Sequence, residues 1–558
     1  MPVIMPVKLL TNGVNNMNKM KNCILLAAAG CLLISCTPQT PSGESQAESS
    51  AAESSVQDNS SAEQKETDEK RQPTTMPVIS IQTVNQDPDV LDFVNVPVAQ
   101  HVAEDIASWT PGYKISPAPY YETCKVSLRS PDGGIQLEEA EAEVKVRGNW
   151  TTTYDKKPLR MKFTEKQKLM NAEGGAEAKN WLLLACYKDA SMLRDKTALQ
   201  IAREILEPDG FYASDAELVE VEINGAYWGV YLLTDMQQVH PDRVDINDPE
   251  KDYQGTDIGY FLEFDGYYYH EDPLHQFYVD YMDNAPLKPY DGNDGSGRTI
   301  TCLPEDKDDM RTETGITIKS DIYSQEQHDF IASYVNNVYD IMYHAAYDNK
   351  AYSFTQDYTK IEENADLTPQ EAVEAVVNID SLADMYIISE LTCDADIYWS
   401  SFFMDVDFST DGDKKLTFEA PWDFDSGLGN KKRCADGTGF YAANIVPDVN
   451  GEDEYCNPWL TVLMYQEWYQ DVIRHKWSAA YDAGVFDRAI QQITADKNQY
   501  ADAFKENDKK WGMCMTNPSI ANELSAKAKK CVSEKLAADY LTDWLTARVA
   551  FMNEQWHI

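Results

Sequence analysis

Basic residues are scarce: 48 Lys and Arg stand against 93 Asp and Glu in 558 residues, a formal net charge of −45. Nucleic acid and anionic lipid are therefore not expected as main partners, because each requires a net basic face. A basic substrate or bound divalent cations fit this balance, and so does a merely solvated acidic surface. No Cys-x-x-Cys pair occurs, which argues against a zinc site built on that motif. The eight His residues form no His-Glu-x-x-His or other ligand pair. No Gly-x-Gly-x-x-Gly is present, so an ordinary glycine-rich phosphate loop is missing. There is no internal repeat, which excludes solenoid and propeller arrays.

The apolar runs are also short. "NCILLAAAGCLLIS", after Lys19 and Lys21, cannot span a bilayer and suits the core of a signal peptide. It ends in "LISC", Leu33 to Cys36, which has the form of a bacterial lipobox. That form implies cleavage before Cys36, lipidation of its sulfur and amine, and anchoring in the membrane. Residues 37–75, rich in Ser and Glu, contain almost no apolar side chain larger than Ala. They cannot bury a core and read as a disordered tether. A leader over 1–36, a tether over 37–75 and a folded remainder describe an extracytoplasmic, surface-anchored lipoprotein. Of the 11 cysteines, Cys23 and Cys31 leave with the leader and Cys36 belongs to the anchor. The remaining eight permit disulfides outside the cell. Cys434 and Cys456 bracket an irregular segment and are the expected pair.

The composition, 43% hydrophobic and 11% aromatic, is ample for a folded unit with two parts. Strands are predicted at 76–84, on both sides of the Ser130–Gly134 "SPDGG" turn, and at 157–165, where Leu159, Met161 and Phe163 alternate. The apolar "NWLLLAC" leads into a helix from about Ser191. Asn224-Gly225 then joins two strands, a strong hairpin signal. Beyond about residue 265 the periodicity becomes helical, broken by a hairpin turning near Thr410–Asp413. The expected fold is α+β and two-lobed: a mainly antiparallel β lobe with one helix over 76–265, and a mostly helical lobe with a β-hairpin over 266–558. A cleft between them is the expected site.

"APWDFDSGLGN" carries Asp423 and Asp425 two residues apart at a strand's end. Such residues face the same way, and either hold a divalent cation or cap a turn. The hairpin feeding this turn begins just after "ELTCDADIYWSSF", where a helix ends at Asp394 and Asp396. A hairpin returns the chain to its start, so the two acidic clusters should meet. One carboxylate near a hydroxyl and another on a metal is the arrangement that phosphoryl transfer uses. Lys162 in "RMKF" is the candidate cation for the phosphates, in competition with Lys145, Lys156 and Lys157. Thr234 lies in "VYLLTDM", a strand running into a linker where an adenine would meet backbone.

These pieces follow the order of a protein kinase. "KVRGNW", "KKPLRMKF", "NWLLLACYKDASMLRDKTALQIARE", "VEVEINGAYWGVYLLTDMQQVHPDRVDI", "GYFLEFDG", "ELTCDADIYWSSFFM" and "PWDFDSGLGN" together resemble the CotH kinase family, atypical kinases described as phosphorylating secreted or surface proteins on Ser or Thr. The resemblance implies ATP and a divalent metal, Mg²⁺ or Mn²⁺, as cofactors. It implies Asp396 as the catalytic-loop carboxylate, Asp423 as a metal ligand with Asp425 beside it, and Lys162 as the phosphate-gripping lysine. Arg147 and Asn149 in "RGN" match the family's N-terminal signature, and Arg147 is expected near the phosphates. Glu204 is the expected ion-pair partner of Lys162, with Arg194 and Asp195 as rivals. A secreted or surface protein is the implied substrate, and the chain's own Ser-rich tether is a further acceptor.

The sequence also departs from an ordinary kinase. Ser401 stands where the second metal-binding Asn is found, and Asp425 replaces the Gly of Asp-Phe-Gly. These changes imply either stronger metal binding at the turn or a weak enzyme. The alternative is thus a kinase-like lipoprotein serving as an adhesin or surface-assembly scaffold. A metal-dependent hydrolase is the third reading. Glu263 and Asp265, two apart on an apparently buried strand, form a structural salt bridge or belong to the site. The "DGNDGSG" loop at 291–297 reads as a turn, since its spacing does not fit an EF-hand.

Overall fold

A computed structural model describes residues 74–170, 176–293, 297–303, 315–394, 396–447 and 454–558. The leader, the lipobox and nearly all of the tether lie outside the described residues, as do residues 294–296 of the acidic loop.

Seven strands close into a barrel: β1 (Val78–Thr83), β2 (Glu122–Arg129), β3 (Ile135–Val146), β4 (Leu159–Gln167), β5 (Ala178–Leu184), β6 (Ala216–Ile223) and β7 (Ala226–Asp235). Neighbours run antiparallel except β1 and β6, whose parallel pairing seals the barrel. The alternation of β4 sends Leu159, Met161 and Phe163 into the interior. Asn224-Gly225 makes the β6–β7 turn, with positive φ at both residues, as that hairpin type requires.

Helix α1 (Gln100–Trp109) precedes β2, and α2 (Arg194–Leu206) follows β5. The carboxylate of Asp189 accepts the backbone N–H groups of Ser191, Leu193 and Arg194, satisfying donors that the start of α2 leaves without intrahelical partners.

A second sheet takes the order β14–β13–β8–β10–β9, with β8 (Gly259–Asp265), β9 (Gln276–Phe277), β10 (Gly315–Ile318), β13 (Phe402–Asp407) and β14 (Thr417–Phe418). A small ribbon, β11 (Tyr352–Phe354) and β12 (Ile361–Glu363), stands apart. The β13–β14 hairpin forms as expected. The first sheet, expected to continue to about 265, ends instead at Asp235. Strand β8 pairs with β13 from Gly259 to Phe264, so the region beyond 265 is less purely helical than its periodicity suggests. Pairing across this distance in sequence is set by packing and leaves no local signal.

Helices α3 (Gln325–Tyr343), α4 (Ile379–Thr392), α5 (Glu467–Asp482), α6 (Val485–Gln499), α7 (Ala501–Trp511) and α8 (Glu534–Trp556) complete the α+β fold. All of α4 except Asp380 is buried, which makes it the central helix of this region. Its lower end is fixed by a fully buried ion pair between Glu390 and Arg548 of α8. Glu390 also accepts the N–H groups of Tyr441 and Ala442 at 2.7 and 2.8 Å. Among the described residues no helix is long and apolar enough to cross a membrane.

The expected Cys434–Cys456 pair does not form. The Cys434 thiol donates to the carbonyls of Ser426 and Lys431, while Cys456 lies against Cys302. Bracketing in sequence does not set the direction of a side chain.

Candidate active site

Helix α4 ends at Cys393, whose φ of 44° turns the chain out of the helix. The Asp394 carboxylate accepts the Asp396 N–H at 3.0 Å, and the Asp396 carbonyl accepts from Trp399 and Ser400. This tight turn holds Asp396 at the mouth of a cleft. The second acidic turn follows β14, where Asp423 takes a left-handed φ of 68°, a strained conformation for a non-glycine residue. The turn docks against the end of α4 through Leu428 N–H donating to Thr392 C=O at 2.6 Å. Gly427 permits this approach, since a Cβ there would sit 3.0 Å from the Thr392 oxygen.

The result is a carboxylate cluster. Asp396, Asp423 and Asp425 each present an oxygen within 4.8 Å of the others. Lys188, just beyond β5, bridges to Asp425 at 2.8 Å and donates to Ser426 at 2.9 Å. Burial opposes its charge, yet Asp425, Tyr154, Asp423 and Asp396 hold its pKa well above the ordinary lysine value. Arg433 reaches Asp396 at 3.3 Å. Burial raises the Asp396 carboxyl, but Lys431, Lys188 and Arg433 outweigh it and bring its pKa below the usual value. Asp396 is therefore an ionised carboxylate at neutral pH. Asp423 differs: burial, then Asp425 and Asp396, push it up to about 7, against the pull of Lys188 and Arg147. No hydrogen bond or ion pair reaches its carboxylate among the described residues.

A hard divalent cation fits this donor set, which is all oxygen, carries excess negative charge and contains one unpartnered carboxylate. Asp423 and Asp425 would hold it, with Asp396 adjoining. Because Asp423 titrates near 7 and a ligand must be deprotonated to bind, metal affinity should rise with pH. Added Mg²⁺ or Mn²⁺ is expected to raise the melting temperature more at pH 8 than at pH 6, read by differential scanning fluorimetry. An equal shift at both values would contradict the assignment of Asp423.

The cleft itself encloses about 890 Å³, in the range of a small-ligand site. Arg147, at the end of β3, lines it with its guanidinium 5.9 Å from the Trp422 ring. Burial lowers its pKa, while Asp423 and Glu263 favour its charge. Gly148 has a φ of +95°, and a Cβ there would lie 2.4 Å from Thr151 Oγ1, so glycine is required between Arg147 and Asn149. Asn149 lines the cleft and opens the 3₁₀ turn Trp150–Thr153. Of the two readings for Glu263 and Asp265, the salt bridge is seen at Glu263 alone. Lys319 pairs with Glu263 at 2.9 Å, Thr317 donates to Asp265 at 2.9 Å, and both carboxylates line the cleft.

Two expected residues are not brought to the site. Lys162 is exposed on β4, its amine 5.9 Å from the Tyr121 ring, and does not line the cleft. Arg160 and Lys145, paired across β3 and β4, do line it. Lys162 is on the same face as Arg160 but two residues further along, about 6.6 Å at strand spacing. Thr234 is fully buried and donates to the Asp215 carbonyl at 2.8 Å. Its strand lies between β5 and β6, so its backbone belongs to the sheet, and Met236 and Gln237 line the cleft just beyond it. Glu204 pairs with Arg488 rather than Lys162, and Arg194 with Asp189. Asp195 does line the cleft, with its pKa driven well up by burial and by Asp425 and Asp423.

Residues missed from the sequence include Lys188, Lys431 and Arg433. Lys431 and Arg433 follow the second acidic turn closely, and that nearness was the available signal, whereas Lys188 comes from a distant part of the chain. His101 of α1, packed at a tilt against Tyr267 and His270 with ring centroids 5.1 and 4.7 Å away, lines another wall. Nothing local marked it.

Carboxylates from a helix-end loop and a turn thus converge on one cation-lined cleft, an arrangement compatible with a kinase-like protein. The family model described as CotH kinase protein matches residues 144–552, and the chain belongs to that family. No curated protein matches it.

Proposed function

We propose that this chain is a metal-dependent protein kinase that transfers the γ-phosphate of ATP to Ser or Thr of extracytoplasmic proteins. In this reading it has the two-lobed kinase layout, with the barrel above the cleft and the α4 and β8–β13 region below, and lipid on Cys36 anchors it at the cell surface. The observation that carries the reading is the meeting of Asp396, Asp423 and Asp425 within 4.8 Å in a cleft that also presents Lys188 and Arg147.

Each residue has a physical task. Asp396, kept ionised by Lys431, Lys188 and Arg433, orients the acceptor hydroxyl and takes its proton. Lys188, Arg147 and Arg433 supply positive charge to the phosphates where a glycine-rich loop is lacking. Asp423 and Asp425 would hold the divalent cation, which would neutralise charge on the transferring phosphoryl group. The Trp150–Thr153 turn covers the cleft, steadied by Thr152 Oγ1 accepting the Ala99 N–H at 2.9 Å.

The test is transfer of label from γ-labelled ATP to the chain itself and to a generic protein acceptor, with Mg²⁺ or Mn²⁺. Lys188→Met is expected to lower the rate by about 100-fold or more, the scale of one lost electrostatic stabiliser. Lys162→Ala, on the exposed face, should leave it within about twofold, as expected of a surface substitution. No transfer and no ATP binding by calorimetry would remove the kinase reading in favour of an adhesin or scaffold. Loss with Lys162→Ala alone would return the phosphate grip to β4.

A further inference from the structure

We propose that Cys302 and Cys456 are a disulfide-forming pair that staples two peripheral segments beside the cleft. Their sulfurs are in contact at 3.8 Å although the residues are 154 apart in sequence. Cys456 is buried and Cys302 half-buried. Of the other sulfurs, those of Cys124, Cys186, Cys393, Cys434 and Cys531 face backbone carbonyls.

Both backbones are pinned on either side of the sulfurs. Before Cys302, Ile300 exchanges two backbone hydrogen bonds with Leu287, at 2.8 and 3.0 Å. After it, Leu303 donates to Asn284 Oδ1 at 2.9 Å, and Asn284 returns a bond to the Leu303 carbonyl. On the other side, Tyr455 belongs to the strand pair β15 (Val446–Pro447) and β16 (Glu454–Tyr455). The Asn457 side chain donates to the Ile397 carbonyl at 2.8 Å and accepts from Trp459 and Leu460. An ion pair between Arg298 and Glu454 joins the same two segments. The two thiols are thus held together by contacts that do not depend on a bond between them.

The step requires only a disulfide donor such as oxidised glutathione. The more accessible Cys302 thiolate attacks the donor, breaking its S–S bond and releasing one thiol. The Cys456 thiolate then attacks the mixed disulfide, forming the Cys302–Cys456 bond and releasing the second thiol. Two electrons pass to the donor, and the two cysteine protons end on the released thiols. The bond would fix Tyr455, which lines the cleft, and Asn457, which supports the loop carrying Asp396. Closing a loop of this length restricts the unfolded chain strongly.

The test treats the full chain with oxidised glutathione, denatures it in iodoacetamide without reductant, and maps its peptides by mass spectrometry. The expected product is one linked pair of peptides, lighter by two hydrogens, joining Cys302 to Cys456. Its appearance should accompany a higher melting temperature that dithiothreitol reverses and that Cys302→Ser lacks. Both cysteines alkylated after oxidation, or Cys456 joined to Cys434 or any other cysteine, would overturn the proposal. A linked pair with an unchanged melting temperature would overturn the staple.

Discussion

Asp423→Asn is expected to abolish metal-dependent transfer while making the metal-free protein more stable. Loss of a metal-holding carboxylate removes stabilisation of charge in the transition state, and a fall of about 10³-fold or more is expected. The stability change has the opposite sign because Asp423 is crowded. Its folded-state pKa is raised to about 7, well above the unfolded value. A group raised in this way contributes stability below its unfolded pKa and loses it as pH rises through the folded pKa. At pH 8 the metal-free wild type carries the full cost of ionisation, which Asn does not. The variant should be more stable by about 1–3 kcal/mol, a discounted share of 1.36 kcal/mol per pKa unit. At pH 5, still above the unfolded value, the gap should shrink to less than half and should close only below about pH 4, and added Mg²⁺ should no longer raise the variant's melting temperature. Thermal unfolding at pH 5 and pH 8, with and without Mg²⁺, checks all three. A variant destabilised at pH 8 would show that Asp423 is a turn residue and not a metal ligand.

Arg548→Met has the other large expected effect. Arg548 and Glu390 are both fully buried, and the guanidinium also donates to the Glu390 and Gly439 carbonyls at 2.6 Å. Removing one partner leaves an uncompensated buried carboxylate, which costs about 3–5 kcal/mol. With an unfolding entropy of about 2.1 cal/mol/K per residue, the melting temperature should fall by roughly 3–5 °C. The exposed Lys350–Glu363 pair is the comparison. Lys350→Met should leave the melting temperature nearly unchanged, because such pairs are screened by water. Equal effects of the two substitutions would remove the bracing role of Glu390 and Arg548 at the end of α4.

The acidic half of the site was legible in the sequence because it rests on local geometry. A hairpin returns the chain to its start, and Asp396 and Asp423 met accordingly; the strand expected to carry Asp423 and Asp425 ends at Phe418, however, and both lie in the turn beyond it. Arg147 was legible through the "RGN" motif, where Gly148 is required by its positive φ. The cationic half was less so. Alternation gave Lys162 the correct face of β4, but face does not determine rung, and the barrel brings Arg160 and Lys145 to the cleft instead. Thr234 failed for a related reason: the strand reads the same whether it ends before or after that residue, and only pairing to β5 and β6 shows that its backbone is already used.

Chain composition and short-range pattern thus determined several strands of the barrel, the helical stretches beyond 265 and the two acidic turns. Each depends on residues within a few positions of one another, where periodicity and turn chemistry act directly. Tertiary structure alone decided that β8 leaves the first sheet for β13, that Lys188 faces Asp425, that α1 forms a wall of the cleft, and that Cys456 meets Cys302. These contacts join residues from distant parts of the chain. They follow from how closed layers pack around α4, and no local stretch of sequence encodes that packing.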